Sequence, residues 1–137
     1  MRPLILGMVL SVVVGAAPAA LAATAVVPVI HAASARYSAD HRAIIVRASV
    51  DLPNACWSRP RLKPPQAGGQ PDVDGVIVIT AVAHSAEGPG LACPMLYRPN
   101  VPMPTLRWRG FPRAGLKAVR IVGDRTPITV PLDAPPD

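Results

Sequence analysis

Proline stands at eighteen of the chain's 137 positions. Each one removes a backbone N–H and presses its ring against the preceding turn, so a chain this rich in proline is a poor source of long helices. After the first 22 residues no segment shows a 3.6-residue apolar period. Short strands joined by ordered loops are what remains.

The strand signals are local and uneven. In RAIIVRASVDL, residues 42–52, Ile44, Val46, Ala48, Val50 and Leu52 fall on one face, while Arg47, Ser49 and Asp51 fall on the other. That period of two predicts a half-buried strand, closed by the turn residues Pro53 and Asn54. GVIVITAVAH, residues 75–84, is apolar on both faces and β-branched, which predicts a central strand covered on both sides. The stretch RLKPPQAGGQPD before it is a proline- and glycine-rich loop. PMLYRPNVPMP, residues 94–104, is too rich in proline for a central strand. TLRWR alternates, with Leu106 and Trp108 on one face and Arg107 and Arg109 on the other. LKAVRIV and TPITVPL read as a hairpin around GDR, with Val119, Ile121, Ile128 and Val130 facing inward. The expected fold is therefore all-β: a small immunoglobulin-like β-sandwich of five to seven short strands.

The N-terminus carries an address. Arg2 is followed by an uncharged apolar stretch from Leu4 to Ala17, then by Pro18 and small residues ending in Ala20-Leu21-Ala22. This is the layout of a signal peptide cleaved after Ala22. An uncleaved anchor is the rival, because Leu4 to Ile30 is uncharged and long enough to cross a bilayer of roughly 30 Å hydrocarbon. Gly7, Gly15 and Pro18 weaken it as a spanning helix. Residues 1–22 are thus read as signal peptide, 23–41 as a flexible leader with Val26–Ile30 as a rival edge strand, 42–132 as the sandwich, and 133–137 as a C-terminal tail. The product is expected in the periplasm or the medium, with no stable membrane span after cleavage.

Cleavage removes one positive charge and leaves a domain one unit below the whole chain's +6, enough residues for one core. Arginine dominates the basic residues, and Glu87 is the one glutamate. A moderate positive charge favours anionic partners without selecting among them. Arg59, Arg61 and Lys63 alternate, as do Arg107 and Arg109 around Trp108, with Arg113 nearby. These six form the candidate anionic-partner surface. The bland alternative puts Trp108 in the core and its arginines on the wet face of a strand, where they also discourage edge pairing. Nucleic acid is not expected as a partner; an envelope protein or an anionic polymer is.

Cys56 and Cys93 are the two cysteines, each just after a strand-closing turn. An even pair in an exported domain points to a disulfide. Its closed loop of about 38 residues would contribute roughly 4 kcal/mol in the chain-entropy description. The rival is a soft-metal site for which His84, Met95 and Met103 supply further ligand types. No close ligand spacing gathers them, so no cofactor is expected. Neither is catalysis: His84 and Ser85 are strand neighbours pointing to opposite faces, and Asp72 and Asp74 lie among turn residues, where Asp is commonplace.

The succession of a strand, Leu52-Pro53-Asn54-Ala55-Cys56, a variable loop, an apolar strand, Cys93, and then FPRAGLKAVRIVG resembles a loose group of exported bacterial β-sandwich domains. Leu52, Pro53, Asn54, Cys56, Cys93, Pro112, Gly115 and Gly123 match its pattern across roughly residues 42–132, and Lys117 stands where the group has a tyrosine. The resemblance implies an immunoglobulin-like fold and paired cysteines, while Lys117 lacks the phenol that a tyrosine-corner hydrogen bond at that position uses. It assigns no activity, since function in that group is mostly unassigned. The expected role is a non-catalytic interaction or structural module of the envelope, with a periplasmic copper-binding protein as the alternative. Intact mass with thiol alkylation checks these expectations together: the exported protein should lack residues 1–22, and its cysteines should alkylate only after reduction.

Overall fold

The computed structural model describes residues 23–66, 68–88, 90 and 92–133. Residues 1–22, the expected signal peptide, and residues 134–137 of the tail lie outside them. Nine short strands form two sheets, and the described residues contain no helix. Sheet A holds β1 (Ala23–Val26), β4 (Trp57–Lys63), β5 (Val76–Ser85), β8 (Ala118–Val122) and β9 (Ile128–Pro131); sheet B holds β2 (Val29–Tyr37), β3 (Ile44–Leu52), β6 (Arg98–Pro102) and β7 (Leu106–Trp108). The fold is the expected all-β sandwich, with more and shorter strands than the alternation alone marked.

Each sheet is organised around one long strand. In sheet B, β3 pairs with β2 along its full length on one edge. On its other edge β6 and β7 lie end to end, one against Ser49–Leu52 and the other against Ile44–Val46. Pro102 and Pro104 stand at the break between them, an edge position where a missing N–H costs no ladder bond. In sheet A, β5 pairs with β4 on one edge and with β1 and β8 end to end on the other; β8 runs parallel to it.

The core lies where the inward residues of β3 and β5 meet. Ile44, Val46, Val50 and Leu52 are fully buried from one side, and Ile79, Ala81 and Ala83 from the other, with Val119 and Ile121 of β8. Trp108 is buried as well, its ring 6.4 Å from that of Phe111, which in turn lies 5.9 Å from Tyr37. β8 and β9 make the predicted hairpin, with Ile128 packed partly against the core.

Two expectations change. Residues 23–41 are not a flexible leader but β1, β2 and the turn into β3. Val27 and Ile30 are buried, and the β8–β9 turn binds this segment through Asp124 N–H to Val27 O (2.8 Å) and Arg125 N–H to Pro28 O (3.1 Å). The pattern hides because a bulge between Ile30 and Ala32 reverses which residues face in, and the inward positions after it include Ala33 and Ala35. Alanine carries little hydrophobic signal. Among the described residues the sandwich therefore starts at Ala23, not Arg42. β5, for its part, is central by pairing but only partly covered on its outer face: Val76 and Val82 are buried there, while Val78 is 42 % exposed, opening onto a groove of about 440 Å³ walled by Pro64 and Pro65.

The turn into β5 shows how tightly β8 is placed. Asp72 Oδ1 accepts the N–H groups of Asp74 (2.9 Å) and Val76 (3.0 Å), and Gly75 N–H returns to Asp72 O (3.0 Å). Gly75 O then accepts from Lys117 N–H at 2.8 Å, starting the parallel ladder. Gly75 has φ +78°, and a Cβ there would lie 2.5 Å from Gly115 O. Gly75→Ala should therefore destabilise the domain by at least about 1–2 kcal/mol from the left-handed backbone alone, with the overlap adding to it. An unchanged denaturation midpoint would contradict this placement of β8.

Candidate functional site: two poles of the sandwich

Cys56 and Cys93 are joined, with Cα atoms 5.5 Å apart. Cys56 lies between β3 and β4, and Cys93 between β5 and β6, so the bond ties together two places where the chain crosses from one sheet to the other. Around it a compact hydrogen-bonded cluster forms. Asn54 Oδ1 accepts Cys56 N–H (3.0 Å), while Glu87 Oε1 accepts from both Asn54 Nδ2 (2.6 Å) and Trp57 Nε1 (2.9 Å). Arg98 Nη2 donates to Trp57 O, and Ala55 N–H donates to Pro94 O at 3.1 Å.

Directly after the bridge the chain displays three consecutive large apolar side chains: Met95 is 94 % exposed, Leu96 53 % and Tyr97 62 %. The flanking contacts of Pro94 and Arg98 hold both ends of this triplet to the cluster. Met and Tyr are enriched in protein–protein interfaces. Scattered apolar residues are ordinary on a surface, but a fixed run of three is not. Leu96, Tyr97 and the bridging role of Glu87 stand outside the candidates that the sequence pattern marks. The sequence signal for the loop is the run Met95-Leu96-Tyr97, set with Arg98 between Pro94 and Pro99.

The metal candidates do not meet. His84 faces outward on sheet A, since Ile79, Ala81 and Ala83 of the same strand form the inward row; Met103 is buried in the core; Met95 stands in solvent. Both sulfurs of the cysteine pair are committed to each other, which removes the thiolate route to a soft metal. Among the described residues no three His, Cys, Asp or Glu side chains gather as a metal site. The residues considered for catalysis hold structural posts. Ser85 is buried, with its Oγ accepting Glu87 N–H at 3.3 Å, and Asp72 caps the β5 turn.

The six basic candidates split between the sheets. Arg59, Arg61 and Lys63 lie on β4 of sheet A, with Arg61 paired to Val82 and Lys63 to Thr80. Arg107, Arg109 and Arg113 lie at the far end of sheet B. Arg107 is exposed on β7, 4.0 Å from Asp40; Arg113 stacks 5.0 Å over Phe111 and donates to His41 O at 3.3 Å. Trp108 faces the core between exposed arginines, as the bland alternative has it.

Sheet B brings two further arginines to the second group. Arg36 of β2 and Arg107 of β7 both sit opposite Ile45, and Arg47 follows two residues along β3. All three alternate with inward residues and are exposed. At the other end of this face His31 Nδ1 donates to Asp51 Oδ1 (2.9 Å), which also accepts Asn100 N–H (2.8 Å). The sandwich thus has an apolar, disulfide-bearing pole where β3 ends and an arginine-bearing pole where it begins.

No protein-family model matches the chain, and no characterised protein or solved structure shows detectable similarity to it.

Glu87 offers a direct probe of the disulfide pole. Hydrogen bonds from Asn54 and then Trp57 hold its carboxyl below the ordinary range. A group whose folded pKa is depressed adds stability above its unfolded pKa and loses it as pH falls through the folded value. Stability should therefore decline from about pH 5 downward, modestly at this site because solvent screens it. Glu87→Gln should flatten part of that decline in denaturation midpoints; Asp40 and Asp51, lowered by their own hydrogen bonds, keep the remainder.

Proposed function

We propose that the protein is exported and acts outside the cytoplasm as a non-catalytic β-sandwich module, binding a partner protein of the cell envelope through its disulfide pole. The observation that carries this reading is the Met95-Leu96-Tyr97 triplet, exposed in solvent and held at both ends by the bridged cluster. A loop ordered before binding loses less conformational freedom on association, so more of its contact energy appears as affinity.

Export is supported from two directions. Disulfides persist in oxidising compartments, and the first 22 residues have the layout of a signal peptide. The resemblance to exported bacterial sandwich domains agrees, since the bridged cysteines and the sandwich are the features that group has in common. In the described residues no helix is long and apolar enough to cross a membrane.

The test is site-specific photo-crosslinking in the producing cell. A photoreactive residue at Met95 should yield a discrete protein adduct, and Leu96→Ser with Tyr97→Ser should abolish it. The same residue at Val73, which is fully exposed on the turn at the other end of β5, should give no such adduct. No adduct at Met95, or equal adducts at both positions, would overturn the proposal.

A further inference from the structure

We infer that the outer face of sheet B at the arginine pole binds a linear acidic polysaccharide, gripped by Arg36, Arg47 and Arg107. This goes beyond the protein-binding reading and rests on a different face. The register places the three residues without reference to any ligand. Arg36 and Arg107 flank Ile45 on opposite neighbouring strands, which separates their Cα atoms by about 10 Å, and Arg47 lies about 7 Å further along β3. Arg42, Arg109 and Arg113 stand at the same end, in the β2–β3 turn and just after β7.

The opposing charges near this face are few and already engaged. Asp40 accepts from Ser38 Oγ and Arg42 N–H and lies 4.0 Å from Arg107; Asp51 is bound by His31 and Asn100 at the far end. Among the hydrogen bonds of the described residues, none engages the guanidinium of Arg36 or Arg47. Guanidinium groups present a planar fork that matches a carboxylate.

The floor beside them selects the kind of polyanion. A shallow groove of about 390 Å³ runs from Arg47 past Ser34, Ala32 and Ser49 to Pro102. Its small side chains let an extended chain lie close to the sheet, and its two serines offer hydroxyls to sugar hydroxyls. Single-stranded nucleic acid is held by aromatic stacking platforms, and the aromatic residues near this pole, Tyr37, Trp108 and Phe111, belong to the core side. Anchoring in a bilayer surface uses apolar side chains beside the basic ones, but the large exposed run sits at the opposite pole. Repeated carboxylates on a chain without bases or acyl groups fit what is present.

The test measures binding of the mature protein to alginate, a carboxylate polymer, against neutral dextran, single-stranded DNA and phosphatidylglycerol vesicles. Alginate should bind in a salt-sensitive manner, because screening weakens exposed charge contacts. The triple variant Arg36→Gln, Arg47→Gln, Arg107→Gln should lose roughly tenfold or more in affinity. The charge-matched triple Arg59→Gln, Arg61→Gln, Lys63→Gln should stay close to wild type. Ser49→Glu, which sets a carboxylate in the groove and leaves every arginine in place, should weaken binding too, guarding against a triple variant that folds poorly. Leu96→Ser with Tyr97→Ser should keep alginate binding, so failure of the protein-partner reading leaves this result readable. Equal losses in the two triples would reduce the effect to net charge and overturn the site. So would absent alginate binding, or tighter binding to DNA or vesicles.

Discussion

A single covalent bond sets the geometry of one whole end of this molecule. The Cys56–Cys93 bridge joins the β3–β4 and β5–β6 connections, both of which carry the chain between sheets. Connections like these gain nothing from strand ladders of their own, and here they are rich in proline, which cannot donate. The bridge limits how far they can separate even when the sheets breathe. On that foundation Glu87 gathers Asn54 and the Trp57 indole, Arg98 binds Trp57 O, and the loop between Pro94 and Arg98 takes a fixed shape. Three large apolar side chains can then stand in water without collapsing onto the core.

How much of this was legible in the sequence depends on what each feature required. β3 was legible because five inward apolar residues alternate without interruption, and the β8–β9 hairpin because two alternating runs flank a turn. The cysteine pair was legible from count and context. β2 was not: a bulge reverses its inward face after Ile30, and Ala33 and Ala35 do inside what valine would have announced. The outer face of β5 misled in the other direction, since Val78 has the chemistry of a covered residue and stands beside an open groove.

The arginines show a different limit. Alternation within one strand marked Arg107 and Arg109, yet the partners of Arg107 on its face come from β2 and β3, 71 and 60 residues away in the chain. Only strand register brings them together. The same alternation in Arg59, Arg61 and Lys63 looked equivalent and belongs to the other sheet. A pattern along one strand fixes a face; which charges share it is decided by pairing. The nine residues of β3 then separate the arginine pole from the apolar pole by about 27 Å. The first described residue, Ala23, pairs with Ser85 at the apolar pole.

The parallel pairing of β5 with β8 has a consequence for how such a chain is assembled in time. The β2–β3, β4–β5 and β8–β9 pairs each join strands that are consecutive in the chain, whereas β8 must find β5 across some forty intervening residues, and parallel, long-range contacts form slowly. A polypeptide emerging N-terminus first exposes Cys93 well before Ala118. The bridge can therefore close while the β8 half of one β5 edge is still bare and the burial site of Val119 and Ile121 is empty. That half-built species, covalently stapled yet open along a strand edge, is the form most exposed to aggregation or proteolysis. The β8–β9 hairpin, and not the disulfide, is what covers that edge.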